Sequence, residues 1–300
     1  MMTFDRHGRI KCGTVSTPDL DAALADYRDL LGLELAGRGE IEPDLAASWG
    51  TPKVAGQRYA LLRPQSGAAG FIRLVEAPLH TDFVPMRTYG WAAFEITVRD
   101  VYDLAERVKG SGFETIGPPK EIAGMPQFIP MQVLGRGREM LYFNQVRSDM
   151  PTSDLPRAGS DVDHIFIVIL ATPDRAATME HLKTRLGFEE GGTYSVNYTM
   201  INKAFGLADG TETTISMIQH QRMPIVEVDD YPDAARPRAR HDGMLPPGNA
   251  MVTLAVEDLD ATGLDFIAPP TRREGPLYAG RRVAAFVGSA GELTELIELR

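Results

Sequence analysis

Apolar positions along the chain follow one repeating rhythm, a short β-type run and then a helical stripe. The first copy is Thr14-Val-Ser-Thr-Pro-Asp-Leu-Asp-Ala-Ala-Leu-Ala-Asp-Tyr-Arg-Asp-Leu-Leu-Gly32. Leu20, Ala23, Leu24, Tyr27, Leu30 and Leu31 fall at the spacing of one helical face. Asp19 is predicted to cap the helix, and Gly32 to take the left-handed position after its last turn. The same order returns at Ile167-Val-Ile-Leu-Ala-Thr-Pro-Asp174, with Met179, Leu182 and Leu186 on one face and Gly187 closing it. The two caps lie 155 residues apart, the mark of a duplicated domain.

Each half repeats again. Phe94-Glu-Ile-Thr-Val-Arg-Asp100 leads a helix through Val101, Leu104 and Val108 that stops at Gly110, and Met251-Val-Thr-Leu-Ala-Val-Glu-Asp258 leads a shorter one through Leu259 and Leu264. Behind each helix lie β-rich runs: Arg58 to Leu62 and Phe71 to Val75, Gln132 to Leu134 and Glu139 to Phe143, Asn197 to Ile201 and Thr213 to Ile218, Arg282 to Val287 and Leu293 to Ile297. The pattern predicts an α+β protein of four βαβββ units. One such unit has a single apolar sheet face that it cannot bury alone, so units must pair into curved sheets that cup a small-ligand cavity. Short connections favour pairing one with two and three with four. The expected organisation is therefore an N-terminal domain over 1–148, a linker over 149–162 rich in Pro, Ser and Gly, and a C-terminal domain over 163–300. Ile41 to Gly56, Ile122 to Met131 and Val226 to Asn249 are irregular insertions, where Trp49 or Phe128 could line a cavity.

Composition narrows the partners. The 31 basic against 41 acidic residues leave a net charge of −10, which argues against nucleic acid or an anionic membrane surface. No apolar run is long enough to span a bilayer, and the N-terminus lacks the apolar stretch of a signal peptide. A single cysteine, Cys12, excludes an internal disulfide framework or a thiolate-rich metal site. A cytoplasmic protein that binds a small molecule is expected, with a homodimer compatible with the repeat.

The segment Pro18 to Gly32 is similar to the first helix of the vicinal oxygen chelate superfamily, which includes glyoxalase I, extradiol dioxygenases and bleomycin-resistance proteins, and the four-unit pattern extends that resemblance over almost the whole chain. The resemblance implies one divalent metal (Fe, Mn, Zn or Ni) in the cup, held by the first and last strands of paired units. Counted against that pattern, the ligand positions are Cys12 and Arg73, Ala93 and Glu139, Ile167 and Ser216, and Met251 and Glu295. An arginine offers no lone pair and repels a cation, and Met251 suits a hard ion poorly. The best conceivable metal set is His164, His220 and Glu295, with both histidines off register, so the usual metal site is expected to be degenerate or absent.

The chemistry that survives this count is metal-free. Glu139 or Glu295, desolvated in an apolar cup, is the candidate general base. Arg73, Tyr142 or His164 would stabilise an enolate, while Cys12, Met251 and His220 complete the candidate substrate-binding set, and Arg73 is expected to pair with Glu139. The expected function is a lyase or isomerase acting on a small oxygenated metabolite, aromatic ones included. Alternatives are a sequestering protein of the bleomycin-resistance type and an Fe(II) extradiol dioxygenase, though the latter resemblance calls for a histidine where Met251 stands.

Overall fold

The computed structural model describes residues 6–122 and 124–299. The four units are present. Unit one runs β1 (Ile10–Thr17), α1 (Leu20–Ala25), β2 (Glu34–Glu40), α2 (Pro43–Ser48), β3 (Arg58–Arg63) and β4 (Phe71–Glu76). Unit two runs β5 (Gly90–Val98), α3 (Val101–Arg107), β6 (Glu114–Gly117), β7 (Phe128–Leu134) and β8 (Met140–Val146). Unit three comprises β9 (Val162–Thr172), α4 (Arg175–Leu186), β10 (Glu189–Asn197), α5 (Thr199–Phe205), β11 (Glu212–His220) and β12 (Met223–Asp230). In unit four, β13 (Gly248–Val256) is followed by β14 (Thr271–Arg273), β15 (Arg281–Val287) and β16 (Leu293–Glu298), and its helix is reduced to one 3₁₀ turn at Asp260–Thr262. No described helix is long and apolar enough to cross a membrane.

The predicted caps form. Asp19, Asp100 and Asp174 accept from backbone N–H groups of the first turns of α1, α3 and α4, satisfying donors that a helix start leaves open. Gly32 and Gly187 both lie in the left-handed region. Beyond Ala25 the first helix widens into a π-helical turn over Asp26–Leu30. Two expectations for unit three fail. Asn197 to Ile201 is mostly α5, where Lys203-Ala-Phe continues the turn and Gly206 closes it at φ 64°. Thr213 to Ile218 belongs to β11 rather than to the last strand, which is β12 and takes up the start of the stretch expected to cross from Val226.

Two eight-stranded mixed sheets result, ordered β14-β15-β16-β13-β1-β4-β3-β2 and β10-β11-β12-β9-β5-β8-β7-β6. The expected pairing is overturned. Unit one shares a sheet with unit four through antiparallel β1 and β13, and unit two with unit three through β5 and β9. Sequence neighbours meet through their helices instead. Tyr27 of unit one packs on Phe113 of unit two, and His181 of α4 on Phe286 of unit four. The sheet faces bearing Val15, Leu74, Phe94, Ile96, Val168, Leu254 and Leu296 join these helices in one core. Polar bridges fix the two sheets to each other. Asn249 of β13 accepts from the Met140 N–H and donates to the Met140 carbonyl, while Arg238 donates to the carbonyls of Trp91 and Asn249.

Glu139 does not enter a cup, contrary to expectation. It precedes β8 in the turn Gly135-Arg-Gly-Arg-Glu139, folded inward so that its carboxylate accepts from the Tyr27 hydroxyl at 2.8 Å. Gly137 presses on the Ser16 carbonyl so closely that no Cβ would fit. Glu292, before β16, is its counterpart and accepts from the Ala290 N–H. Burial pushes both carboxyls up to about 7. A raised carboxyl favours the protonated folded state, so its stabilising effect is complete below about 4.5 and is lost as pH rises through about 7. Glu139→Gln keeps the acceptor for Tyr27. Its melting temperature should match the parent protein at pH 5 and exceed it by several degrees at pH 8.5; an equal difference at both pH values would contradict this assignment.

Candidate functional site

Alternation along the strands sends every second side chain to the concave face of each sheet. Thr14, Glu95, Ile169 and Thr253 occupy equivalent first-strand positions, and opposite them on the last strands lie Arg73, Tyr142, Glu227 and Glu295. The four-unit repeat thus yields two pseudo-equivalent cups. Arg73 and Glu295 furnish one; Tyr142 and Glu227 furnish the other.

The first cup is a closed polar core. Glu295 accepts from Trp49 Nε1 at 2.8 Å, Tyr278 OH at 3.0 Å and Thr253 Oγ1 at 2.8 Å. Arg73 Nη2 stands 3.4 Å from Glu295 Oε2, with both side chains almost wholly buried. The Arg73 guanidinium also donates to Thr14 Oγ1 and Tyr278 OH and lies 4.4 Å over the Trp49 ring. Burial opposes the Arg73 charge, but Tyr278 and Glu295 outweigh it and raise the pKa. Cys12 and Met251 fill the surrounding apolar space, with Leu61, Tyr278 and Ile297 against the one and Ile41, Trp49 and Leu293 against the other. Burial pushes the Cys12 thiol up to about 12, which makes it a packing residue rather than a nucleophile. The residues do not fit a metal. Glu295 is engaged by four donors, and a cation occupies the facing ligand position.

The second cup holds three carboxyls and no guanidinium comparable to Arg73. Glu95 accepts from Asn144 Nδ2 at 2.6 Å. The Tyr198 hydroxyl lies 3.1 Å from the Tyr142 hydroxyl and 3.4 Å from Glu227 Oε1. Asp229 is fully buried, and neither of its oxygens meets a protein donor. Two residues along β12, Glu227 lies on the same face, and its charge raises the Asp229 pKa further. Desolvation is the largest cause raising Glu95, Glu227 and Asp229, and mutual repulsion raises Glu95 and Asp229 further. Glu227 and Tyr198 are only half-buried, so the cluster reaches solvent at its rim. Helix α5 covers this cup with Ile201, Met200 and Phe205, joined by Tyr89, Tyr231 and Met86. Among the described residues, no three His, Cys, Asp or Glu side chains are placed to hold a metal ion.

The sequence-derived candidates are thus dispersed. Arg73 pairs with Glu295 and not with Glu139. His164 sits near the start of β9 against Asp163, outside both cups; the strand is irregular at Phe166, yet that bulge does not carry His164 inward. His220 ends β11 and packs edge-on against His7 at 4.9 Å, so it cannot join Glu295. Ser216 lies on β11 and hydrogen-bonds Arg175 and Thr193. Of the residues proposed for the site, Tyr142 alone lies in the acidic cup. Glu95, Glu227, Asp229 and Tyr198 were missed, although shifting Arg73 by the 155-residue repeat lands one residue from Glu227.

Charge complementarity explains the exchanged sheets. Pairing one with two would set Arg73 against Tyr142, and pairing three with four would set Glu227 against Glu295. Compared with pairing by sequence order, the observed partnership gives the buried guanidinium a carboxylate. Breaking such a pair from one side typically costs about 3–5 kcal/mol, whereas removing both charges together can be nearly neutral. Arg73→Met should therefore destabilise strongly in denaturant titrations, and adding Glu295→Leu should restore much of the loss. A double variant no better than the single one would show that the ion pair does not hold this cup.

Residues 9–128 match the profile of the Glyoxalase/Bleomycin resistance protein/Dioxygenase superfamily. A search of curated proteins finds no match. Among solved structures, glyoxalase I from Zea mays superposes with a TM-score of 0.59 at 18% identity, covering 97% of this chain and 92% of that one. A Bacillus subtilis protein described as a candidate dioxygenase gives 0.61 at 12% identity, over 98% and 86% of the two chains. At these identities the likeness shows the fold, here along its full length. The profile match thus marks residues 9–128 as similar to the glyoxalase, bleomycin-resistance and dioxygenase superfamily, also called the vicinal oxygen chelate superfamily, and the superpositions show that the whole chain has the two-domain glyoxalase I fold.

Proposed function

We propose that the protein is a metal-independent acid–base enzyme, a lyase or isomerase, acting in the second cup on a small oxygenated and partly aromatic molecule. The observation that carries this reading is Asp229, a fully buried acid without a protein donor, beside Glu227 and Glu95. Unneutralised carboxyls in an apolar cup cost stability, and such groups concentrate where acid–base chemistry is done. The equivalent first cup shows how the same fold satisfies a buried acid when only structure is required.

Glu227, half-buried at the rim, is the base. It takes a proton from carbon next to a carbonyl, and the C–H electron pair passes into the enolate. The hydroxyls of Tyr142 and Tyr198 stand beside it to hydrogen-bond the developing oxyanion. Return of the proton to the opposite face of the same carbon gives epimerisation, one class of isomerisation; loss of a β-substituent with its electron pair gives elimination. Asp229 holds a proton against Glu227 and keeps that carboxyl from rising further. The apolar aromatic lining suits a neutral ring or carbonyl compound, and the three acids repel anionic ones.

A panel of neutral aldehydes and ketones incubated with the protein in D2O tests the reading by loss of C–H signals in NMR. Exchange should appear with at least one compound and fall by about 10²–10⁴-fold in Glu227→Gln. Its rate should rise with pH as Glu227 ionises. Binding without exchange in the parent protein would favour the sequestering alternative. The acid cluster should also weaken the fold as pH rises, because its carboxyls are raised and the folded state prefers them protonated. Asp229→Asn should therefore melt higher than the parent, by more at pH 8 than at pH 5. A variant less stable at both values would make Asp229 a structural residue.

A further inference from the structure

A roomy cleft lies outside both cups. It encloses about 690 Å³ where the N-terminal segment, the β3–β4 turn, the β8–β9 connection, the start of β9 and the β11–β12 turn converge. This volume falls within the ordinary range of about 300–1,000 Å³ for small-molecule sites. The cleft therefore borders both sheets, and Ser66 Oγ of unit one donates across the junction to Asp163 of unit three at 2.8 Å.

Its charge runs against that of the whole protein. Four guanidiniums line it, from Arg6, Arg9, Arg157 and Arg222. Asp154 engages Arg222 at 2.6 Å. Arg6 donates to the neutral Gln221 side chain and Arg157 to the Arg147 carbonyl. Arg9 Nε is buried with no hydrogen-bond partner. Burial and the neighbouring Arg6 both lower the Arg9 pKa, while Asp163 offsets them only in part. That Asp163 is already committed to Ser66, His164 and the N–H groups of Gly159 and Ser160. His164, more than nine-tenths buried in the wall, presents Nδ1 to Asp163 and leaves Nε2 without a partner. Ile10, Ile165 and Phe166 supply apolar surface beside these groups.

We propose that this cleft is a second small-molecule site, for an organic anion bearing a phosphate or carboxylate group, held by Arg9 and Arg157 with Arg6 at the rim and a small apolar body against Ile165 and Phe166. Crowded guanidiniums with unfilled donors match the fork geometry of those oxyanions. The second cup suits neutral ligands and repels anions, so the two sites select different charge classes, and this one stands whether or not the second cup is catalytic.

Thermal melting and isothermal titration of the full chain, with inorganic phosphate and with citrate at ionic strength matched by sodium chloride, test the site. Saturable binding with a raised melting temperature is expected for at least one of them, and the preference identifies a phosphate or a carboxylate ligand. Arg9→Gln should weaken binding at least tenfold. Arg157→Gln, on the exposed opposite wall, should weaken it similarly and covers the case in which the Arg9 variant misfolds. No saturable response beyond that of sodium chloride, or equal affinity in both variants and the parent protein, would overturn the proposal.

Discussion

A guanidinium cannot remain charged inside a sheet interior without a counter-charge and full hydrogen bonding. Arg73 meets that demand only because β16 lies in the same sheet and brings Glu295 opposite it. Much else follows from this one contact. Trp49 must descend from the segment after α2 to stack on the guanidinium and donate to Glu295, and Tyr278 must close the other side. The sheets must then be shared between distant units, and sequence neighbours are left to meet through their helices.

The second cup, built on the same scaffold, lacks the cation. Its last-strand positions are Tyr142 and Glu227, and its lid helix α5 carries Met200, Ile201 and Phe205 in place of a donor like Trp49. Equivalent strand positions thus carry different chemistry in the two cups of one chain. One pair became a sealed ion pair. The other holds Glu227 with Glu95 and Asp229 beside it, and Glu227 is only half-buried. Duplication permits this because one cup can secure the fold while the other bears destabilising groups.

The helices, their Asp caps and the fourfold repeat were legible because strand, cap and stripe recur at nearly constant spacing and depend on local physics. Sheet pairing was not, since it hangs on which last-strand residues share a cup, and in the first sheet these lie more than two hundred positions apart. The site was misplaced for a narrower reason. In unit two, Glu139 stands three residues before the true last-strand position, Tyr142, and its turn hides it from the cup. In unit three, Ile225-Val-Glu-Val-Asp alternates as a strand should, but it adjoins a Pro- and Asp-rich stretch that reads as loop. His164 was noticed as chemistry-bearing, yet its neighbours come from the β3–β4 turn and the β8–β9 connection, which no periodicity brings together.

The exchange of units also sets an order on synthesis. All strands of the second sheet lie between Gly90 and Asp230, nested inside the chain, whereas the first sheet needs both β1 and β16. As the polypeptide emerges, the inner sheet can close while the outer one waits for the last residues. Until then Arg73 lacks its carboxylate, and the N-terminal unit is a half-sheet whose strand β1 is an open edge on the side that β13 will fill. The nascent protein can therefore carry its acidic cup complete before its ion-paired one exists, and β16 acts as the latch of the outer sheet.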